Sequence, residues 1–342
     1  ASMAKVMTAY VVLDLIKRGE LSREKVFTVS EATWRKWNGS NGGSTMFLRA
    51  GEKISVDELL KGLITVSGND AAAALAVGID GNEADFVKRM NAMATKIGMT
   101  SSKFGTPNGW PDGGVTKVSA ADLITLADRL IRDHPDGYAR YFSIPRLQHG
   151  VSPEGKPIVQ PNRNPILGRF AGADGLKTGH TAEAGYCFLG SAKRDGRRLI
   201  MVVAGMKSEK ARREEAERLM RWGFDAWEGR ELVPAGTKVG QVEIQQGARP
   251  SVTAETDIAV RMTVPKGYAG GYRAAMQSRS PQTAPIERGA SIARLIVTPD
   301  GLPPQTTPLL AAKDVARADG AWTRLRSGVY RLAGRWARAS SR

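Results

Sequence analysis

The pattern of apolar residues changes near Glu228. Before this residue, apolar side chains recur at helical spacing in long segments, whereas after it short alternating segments are separated by Gly and Pro. The two patterns bury their apolar residues in different ways, so they predict two cores in this chain of 342 residues. We therefore predict an α+β domain over residues 1–227, a small all-β domain over residues 228–312, and a tail over residues 313–342.

The predicted elements follow from where each pattern begins and ends. In the first domain, helices are predicted over residues 2–18, 55–64, 70–77, 83–97, 119–132 and 209–227. Strands predicted over residues 185–192 and 198–204 flank a turn at residues 193–196 and form a hairpin. In the second domain, strands are predicted over residues 238–244, 257–264 and 290–297. The chain is predicted to become helical again from Ala311.

Composition excludes several classes of protein. No apolar run reaches the roughly 18 residues that a membrane-spanning helix needs. A cleavable export signal is not recognised either, because the helical pattern begins at Ser2. The single cysteine, Cys187, excludes an internal disulfide. No group of His, Cys, Asp and Glu has metal-ligand spacing, so neither a metal nor another cofactor is expected.

The tail is strongly basic and amphipathic. The net charge is +16, and residues 313–342 carry +6 of it. Apolar residues recur there at steps of three and four, at Trp322, Leu325, Val329, Leu332 and Trp336. Arginines occupy the remaining surface, which predicts an interfacial helix over residues 319–342 that binds an anionic membrane surface. The alternative is a helix docked on the protein itself; nucleic-acid binding is not favoured, because no known nucleic-acid motif is present.

Ser2 and Lys5 are candidates for nucleophilic catalysis. They are three residues apart in a predicted helix, so their side chains lie on one face and can meet. A serine hydroxyl needs a base to take its proton, and a desolvated lysine can be that base. The pair alone is weak evidence, since a helix N-cap followed by a solvated lysine has the same sequence.

Two further motifs follow in a fixed order. Ser67-Gly68-Asn69 offers a hydroxyl and an amide between two predicted helices. Lys177-Thr178-Gly179 precedes the predicted hairpin, and Gly179 would let a substrate backbone approach closely. Taken alone, each motif is weak evidence, because the first is also a common turn sequence and the second a common sequence at the end of a strand. The order Ser-x-x-Lys, Ser-x-Asn, Lys-Thr-Gly is the serine-acylation signature of penicillin-binding proteins and β-lactamases.

With these motifs, the chain resembles the low-molecular-mass penicillin-binding D-alanyl-D-alanine carboxypeptidases, the class with an added β domain and an amphipathic C-terminal helix. The similarity extends over nearly the whole chain, through residues 7–13, 59–64, 67–72, 174–181, 183–186, 222–224 and 263–267. It implies a penicillin-binding/β-lactamase-like transpeptidase fold, an antiparallel sheet flanked by helices. It also implies an enzyme that removes the terminal D-alanine from peptidoglycan pentapeptides.

The resemblance also implies catalytic roles. Ser2 would attack the terminal peptide bond and be acylated, while Lys5 accepts its proton. Ser67 would pass a proton to the leaving amine, tuned by Lys177. The oxyanion would be bound by the backbone N–H groups of Ser2 and His180.

Substrate binding is implied for three further residues. Asn69 would hydrogen-bond the amide backbone of the substrate. Thr178 and Arg212 would take its terminal carboxylate, because the guanidinium fork matches a carboxylate. For Arg212 a solvated helix charge is the equal alternative. Arg163 also matches a family segment near the site, with a structural use at least as well supported.

The family resemblance carries expectations about inhibitors and location. Gly68 stands where class A β-lactamases have aspartate, and no counterpart of their deacylating glutamate is found. β-Lactams are therefore expected to be covalent inhibitors of this protein. The implied location is the periplasm, with the tail on the outer face of the inner membrane.

One expectation concerns the start of the sequence. In the family several dozen residues precede the nucleophile, including the first two strands of the sheet, whereas here only Ala1 precedes Ser2. Three strands of the sheet are therefore expected, with the apolar segment 199–204 left as an unpaired edge. From this we expect residues 1–342 alone to express poorly and to bind penicillin weakly. A penicillin-binding module or truncated fragment without turnover is the alternative function.

Overall fold

The computed structural model describes residues 1–39 and 42–318. The described chain forms two compact units, Ala1–Gly223 and a second that begins at Phe224. The helices are α1 (Lys5–Lys17), α2 (Glu31–Trp37), α3 (Val56–Thr65), α4 (Asn69–Asp80), α5 (Glu83–Lys96), α6 (Ala120–Asp133), α7 (Pro135–Tyr141) and α8 (Glu209–Asp225). The strands of the first unit are β1 (Val26–Thr28), β2 (Lys53–Ser55), β3 (Arg146–Val151), β4 (Pro157–Pro161), β5 (Ala173–Thr181), β6 (Gly185–Arg194) and β7 (Arg197–Met206).

Helix α1 is the centre of the first unit. All of its residues from Lys5 to Leu13 are buried, and a short 3₁₀ turn, Ser2–Ala4, leads into it. A helix that is apolar on nearly every side belongs inside a core, and helices α3 to α7 bury their own apolar faces in the same cluster. Because α1 is packed all round, the turn that carries Ser2 has a fixed position.

The main sheet of the first unit has the order β5-β6-β7 and is antiparallel. The predicted hairpin is confirmed as β6 and β7, joined by a turn in which Asp195 and Gly196 have positive φ angles. Within the described residues the sheet has the three strands expected, and β7 is one of its two outer strands. Leu199, Ile200 and Val202 on β7 are only half-buried.

Sequence patterns missed the shorter elements of this unit. Helix α2 is capped by Ser30, whose side chain accepts a hydrogen bond from the Thr33 amide, and α7 begins at Pro135. The pairs β1–β2 and β3–β4 are two-stranded sheets. Strands β1 and β2 have three residues each, which is too short for alternation to be recognised, and β3 and β4 are exposed at most of their positions.

The second unit is all-β in its described residues, as predicted. Its strands are β8 (Trp227–Val233), β9 (Lys238–Gln245), β10 (Ser251–Glu255), β11 (Val260–Pro265), β12 (Tyr272–Ser278), β13 (Gln282–Thr283), β14 (Ser291–Pro299) and β15 (Gln305–Ala311). Six of them form a sheet of order β12-β14-β15-β10-β9-β13, and β8 pairs with β11. Alternate side chains of these strands make a separate apolar core.

The prediction that the chain becomes helical from Ala311 is wrong as far as residue 318. Strand β15 ends at Ala311 and a bend follows at residues 312–313. Two isolated bridges come next, from Val315 to Ile286 and from Arg317 to Gly247. Val315 and Ala318 are buried in the second unit. The predicted interfacial helix over residues 319–342 lies outside the described residues. No described helix has the length and apolarity to cross a membrane.

Candidate active site

Ser2 and Lys5 meet at the start of α1. Lys5 Nζ lies 2.8 Å from Ser2 Oγ, and the lysine side chain is completely buried. Nζ has two other partners, Asn69 Oδ1 at 2.7 Å and the backbone oxygen of Asn108 at 2.8 Å. The predicted contact between serine and lysine is therefore present, and it is surrounded by acceptor groups.

These three partners determine how a neutral lysine would be oriented. The oxygens of Asn69 and Asn108 can only accept hydrogen bonds, whereas Ser2 can also donate one. A neutral amine has two N–H groups and one lone pair, so the N–H groups satisfy the two acceptors and the lone pair faces the serine hydroxyl. Burial, and secondly the charge on Lys177, lowers the pKa of Lys5 well below its usual value. This arrangement lets Lys5 take the proton of Ser2.

The second motif lies in the connection between α3 and α4. Ser67 is buried with φ of 62°, a left-handed conformation that costs a non-glycine residue about 1–2 kcal/mol. Asn69 begins α4, and its Nδ2 donates a hydrogen bond to Gly42 O at 2.9 Å, which fixes the amide with Oδ1 toward Lys5. A Cβ on Gly68 would lie 2.9 Å from Asp70 Oδ1, so the turn has no room for a larger residue.

The third motif lies on β5. Lys177 is 1% exposed, and burial lowers its pKa to about 7, with smaller contributions from the charges of Arg163 and Arg212. A Cβ on Gly179 would lie 3.2 Å from the backbone nitrogen of Ser2 and 3.0 Å from Ala1 Cβ. Gly179 therefore lets β5 pack closely against the nucleophile's turn, a reason that the sequence did not indicate.

The three motifs border one cleft with a volume of about 1190 Å³. Of the predicted site residues, those that line it are Ser2, Ser67, Asn69, Thr178, Gly179, His180 and Arg212. Lys5 and Lys177 are buried next to these residues. Every predicted site residue is thus in or beside the cleft.

Arg212 is a buried residue of α8 and not a solvated helix charge. It is 7% exposed, and its Nε has no hydrogen-bond partner in the described part of the chain. Its nearest carboxylate oxygen, on Glu209, is 3.9 Å away. The guanidinium lies 5.7 Å from the ring of Tyr186, which stacks on His180 with ring centroids 4.0 Å apart. An arginine held in a cleft without a close carboxylate can donate hydrogen bonds to the carboxylate of a ligand.

Several cleft residues were not predicted. Gly43, Ser44 and Trp110 line it, and Arg163, whose sequence position is compatible with a structural role or a site role, lines it as well. Asp70 holds the segment that carries Gly43 and Ser44, because its carboxylate accepts hydrogen bonds from the amides of Met46 and Leu48. Burial raises the pKa of Asp70. No local signal identifies these residues, since tertiary contacts set the conformation of their loops.

A serine hydroxyl facing a buried lysine whose pKa is lowered, with a cationic group in the same cleft, defines a site for serine acyl transfer. A model of the D-alanyl-D-alanine carboxypeptidase family matches residues 1–208, and one of the C-terminal domain of penicillin-binding protein 5 matches residues 227–317. The chain therefore belongs to the D-alanyl-D-alanine carboxypeptidase family of serine hydrolases, which confirms the resemblance seen in the sequence.

Similar proteins cover most of the chain. D-alanyl-D-alanine carboxypeptidase DacC of Escherichia coli is 34% identical over 92% of this chain and 78% of its own length. The crystal structure of penicillin-binding protein 5 from Haemophilus influenzae is 33% identical, with a TM-score of 0.72 over 93% of this chain and 90% of that one. Penicillin-binding protein D2 from Listeria monocytogenes, solved in a cefotaxime-bound form, is 34% identical, with a TM-score of 0.56 over 66% of this chain and 87% of that one.

Proposed function

We propose that this carboxypeptidase removes the terminal D-alanine of peptidoglycan stem peptides through an acyl-enzyme on Ser2. The observation that carries the proposal is the contact of 2.8 Å between Ser2 Oγ and the buried Lys5 Nζ. The two acceptor-only partners of Nζ leave its lone pair for the serine proton. Lys5 is then the general base of acylation.

Acylation proceeds in two steps. Ser2 Oγ forms a bond to the carbonyl carbon of the penultimate D-alanine as its proton passes to Lys5 Nζ. When the tetrahedral intermediate collapses, the C–N bond breaks and the proton is passed to the leaving amine by way of Ser67. Deacylation repeats this with water: the oxygen of water attacks the ester, Lys5 takes its proton, and Ser2 Oγ leaves and is reprotonated.

The substrate is held at both ends of the scissile bond. Arg212 and Thr178 bind its terminal carboxylate, supported by the unpaired Nε of Arg212 in the cleft. The backbone N–H groups of Ser2 and His180 bind the oxyanion. Asn69 binds an amide on the acyl side: one Nδ2 proton is used on Gly42 O, and the other remains for a ligand carbonyl. Lys177 tunes Ser67 through its charge.

β-Lactams are proposed to acylate Ser2 and to leave slowly. The relative from Listeria, solved with cefotaxime and with ampicillin bound, supports this extension to the present chain. The expected assay result is release of D-alanine from diacetyl-L-lysyl-D-alanyl-D-alanine by the chain, and none by Ser2→Ala. Acylation by penicillin without any release of D-alanine would show instead a binding module without turnover.

We also propose that the protein acts in the periplasm, attached to the outer face of the inner membrane through residues 319–342. The support is the alternation of the tryptophan-bearing apolar stripe with arginines in that segment. Residues 1–318 should lose co-sedimentation with anionic vesicles and keep peptidase activity on small substrates. Neutral vesicles are the control for the electrostatic part. Equal vesicle binding by residues 1–318 and 1–342 would contradict the proposal.

A further inference from the structure

Trp110 is an exposed aromatic side chain that lines the cleft. It is 39% exposed, and among the large apolar residues that are exposed in the described chain it is the one that lines the cleft. An indole left in contact with solvent in this position provides apolar area that a ligand can cover.

The ring is held rigidly from behind. The buried Trp37 contacts it edge to face, with ring centroids 5.3 Å apart and an interplanar angle of 78°. Gly43 allows this position, because a Cβ there would lie 2.8 Å from Trp110 Cζ3. The backbone nitrogen of Trp110 donates a hydrogen bond to Asn108 Oδ1 at 2.9 Å. Little conformational freedom remains to be lost when a ligand binds.

The segment that carries Trp110 is also anchored to the catalytic groups. Asn108 O accepts the hydrogen bond from Lys5 Nζ, and Pro107 O accepts one from Thr8, also on α1. The next residue, Gly109, packs so closely on the nucleophile's turn that a Cβ would lie 2.2 Å from Ala1 O. The indole is therefore at a fixed distance from Ser2 Oγ.

The neighbours of the ring indicate which part of a ligand it meets. The Cβ position of Gly43 is 2.8 Å from Trp110 Cζ3 and 3.1 Å from Asn69 Nδ2, so the indole and the amide of Asn69 adjoin. In the proposed function, Arg212 binds the carboxylate of the leaving residue and the oxyanion hole binds the scissile carbonyl. The carbonyl left for Asn69 is the next one on the acyl side.

We infer that Trp110 is the platform for the substituent on the acyl side of the ligand. In the peptide this is the apolar part of the residue that precedes D-alanyl-D-alanine, and in a penicillin it is the side chain of the acylamino group. The contact selects ligands with a bulky apolar or aromatic acyl substituent over those with a small one. This inference rests on the proposed function, since it uses the role of Asn69.

A comparison of two penicillins can measure the effect of the contact with Trp110 separately from the other contacts in the site. Benzylpenicillin carries a phenyl ring on its acylamino group, and 6-acetamidopenicillanic acid keeps the amide without the ring. The acylation rate constants of both are measured on one preparation by intact mass. Because any unfolded fraction affects both constants equally, their ratio reports the contact with the phenyl ring and not folding.

For Trp110→Ala we expect the ratio of benzylpenicillin to 6-acetamidopenicillanic acid to fall about tenfold, and Trp110→Phe should restore most of it. The matched control is Val115→Ala, an exposed apolar residue of the same connection that does not line the cleft in the described structure; its ratio should not change. An unchanged ratio in Trp110→Ala would overturn the inference, even with both penicillins slowed, because the residue would then only hold its loop. Absence of labelling of the unmodified chain by both penicillins would overturn the proposed function, and this inference with it.

Discussion

The two units of the protein differ in what they bury. Among the described residues of the first, sixteen polar or charged residues are buried, including the side chains of both active-site lysines. In the second, Thr256 is the one buried polar residue within the described range, and the core is aliphatic. This difference is larger than the difference in size explains. The first interior holds the polar groups of the candidate active site, whereas the second is an apolar core.

The buried lysines destabilise the fold when they are charged. Lys177 has a pKa of about 7 in the folded state, below its ordinary value of 10.5, and the pKa of Lys5 is lowered in the same direction. At pH values between about 7 and 10.5, Lys177 is mostly protonated in the unfolded chain and mostly neutral in the folded chain, so the unfolded chain binds more protons. The free energy of unfolding therefore rises as pH increases from about 7 to 10.5, and the burial of Lys177 costs on the order of 4 kcal/mol at pH 7. Catalytic sites commonly contain buried ionisable groups that lower the stability of the fold in this way.

The largest effect is expected at Lys5. Lys5→Met removes the base and also a buried ionisable group, so acylation by penicillin should fall by about 10³-fold or more while the free energy of unfolding rises. Acylation rates and urea unfolding measure the two effects. Lys88→Met, with its ammonium exposed on α5, is the control and should change neither quantity. If Lys5→Met kept its acylation rate, the assigned base would be wrong.

A smaller and opposite effect is expected in the second unit. Leu309 is completely buried on β15, so Leu309→Ala should lower the free energy of unfolding of this unit by about 2–5 kcal/mol. The acylation rate of Ser2 should stay the same, because every predicted site residue belongs to the first unit. Leu302→Ala, at a partly buried position, should destabilise less. A fall in acylation rate parallel to the loss of stability would contradict this separation.

The smallest effect concerns the pH dependence of acylation. If the charge on Lys177 is needed, the rate should fall as pH rises through about 7, where the lysine loses its proton. Arg163 lowers the pKa of Lys177 through its positive charge, so Arg163→Gln should move this fall to higher pH. The pH profile of benzylpenicillin acylation measures the shift. A profile that does not move would exclude Lys177 as the titrating group.

The sequence predicted the parts of the site that lie within short motifs. Ser2 with Lys5, Ser67 with Asn69, and Lys177 with Thr178 are each close in sequence, so local geometry fixes each pair. Their order along the chain and the family resemblance then predicted that the pairs meet. Long periodic helices and the hairpin of β6 and β7 were found for the same reason: their patterns are local.

The rest of the site depends on contacts between distant loops. The backbone oxygen of Asn108 and the ring of Trp110 reach the cleft because their segment packs on α1 and Trp37. No spacing in the sequence carries that information. The error at Ala311 has a similar cause, since the isolated bridges of Val315 and Arg317 have no periodic pattern that distinguishes them from the start of a helix.

The most direct test of the account is the mass of the intact protein after incubation with benzylpenicillin, followed by peptide mapping. One adduct per chain is expected, equal in mass to one penicillin molecule and located on Ser2, with no adduct on Ser2→Ala. Thermal unfolding of the variant at the same temperature as the unmodified chain would show that the fold is intact. An adduct on any other residue, or normal labelling of Ser2→Ala, would contradict the central claim that Ser2 is the nucleophile.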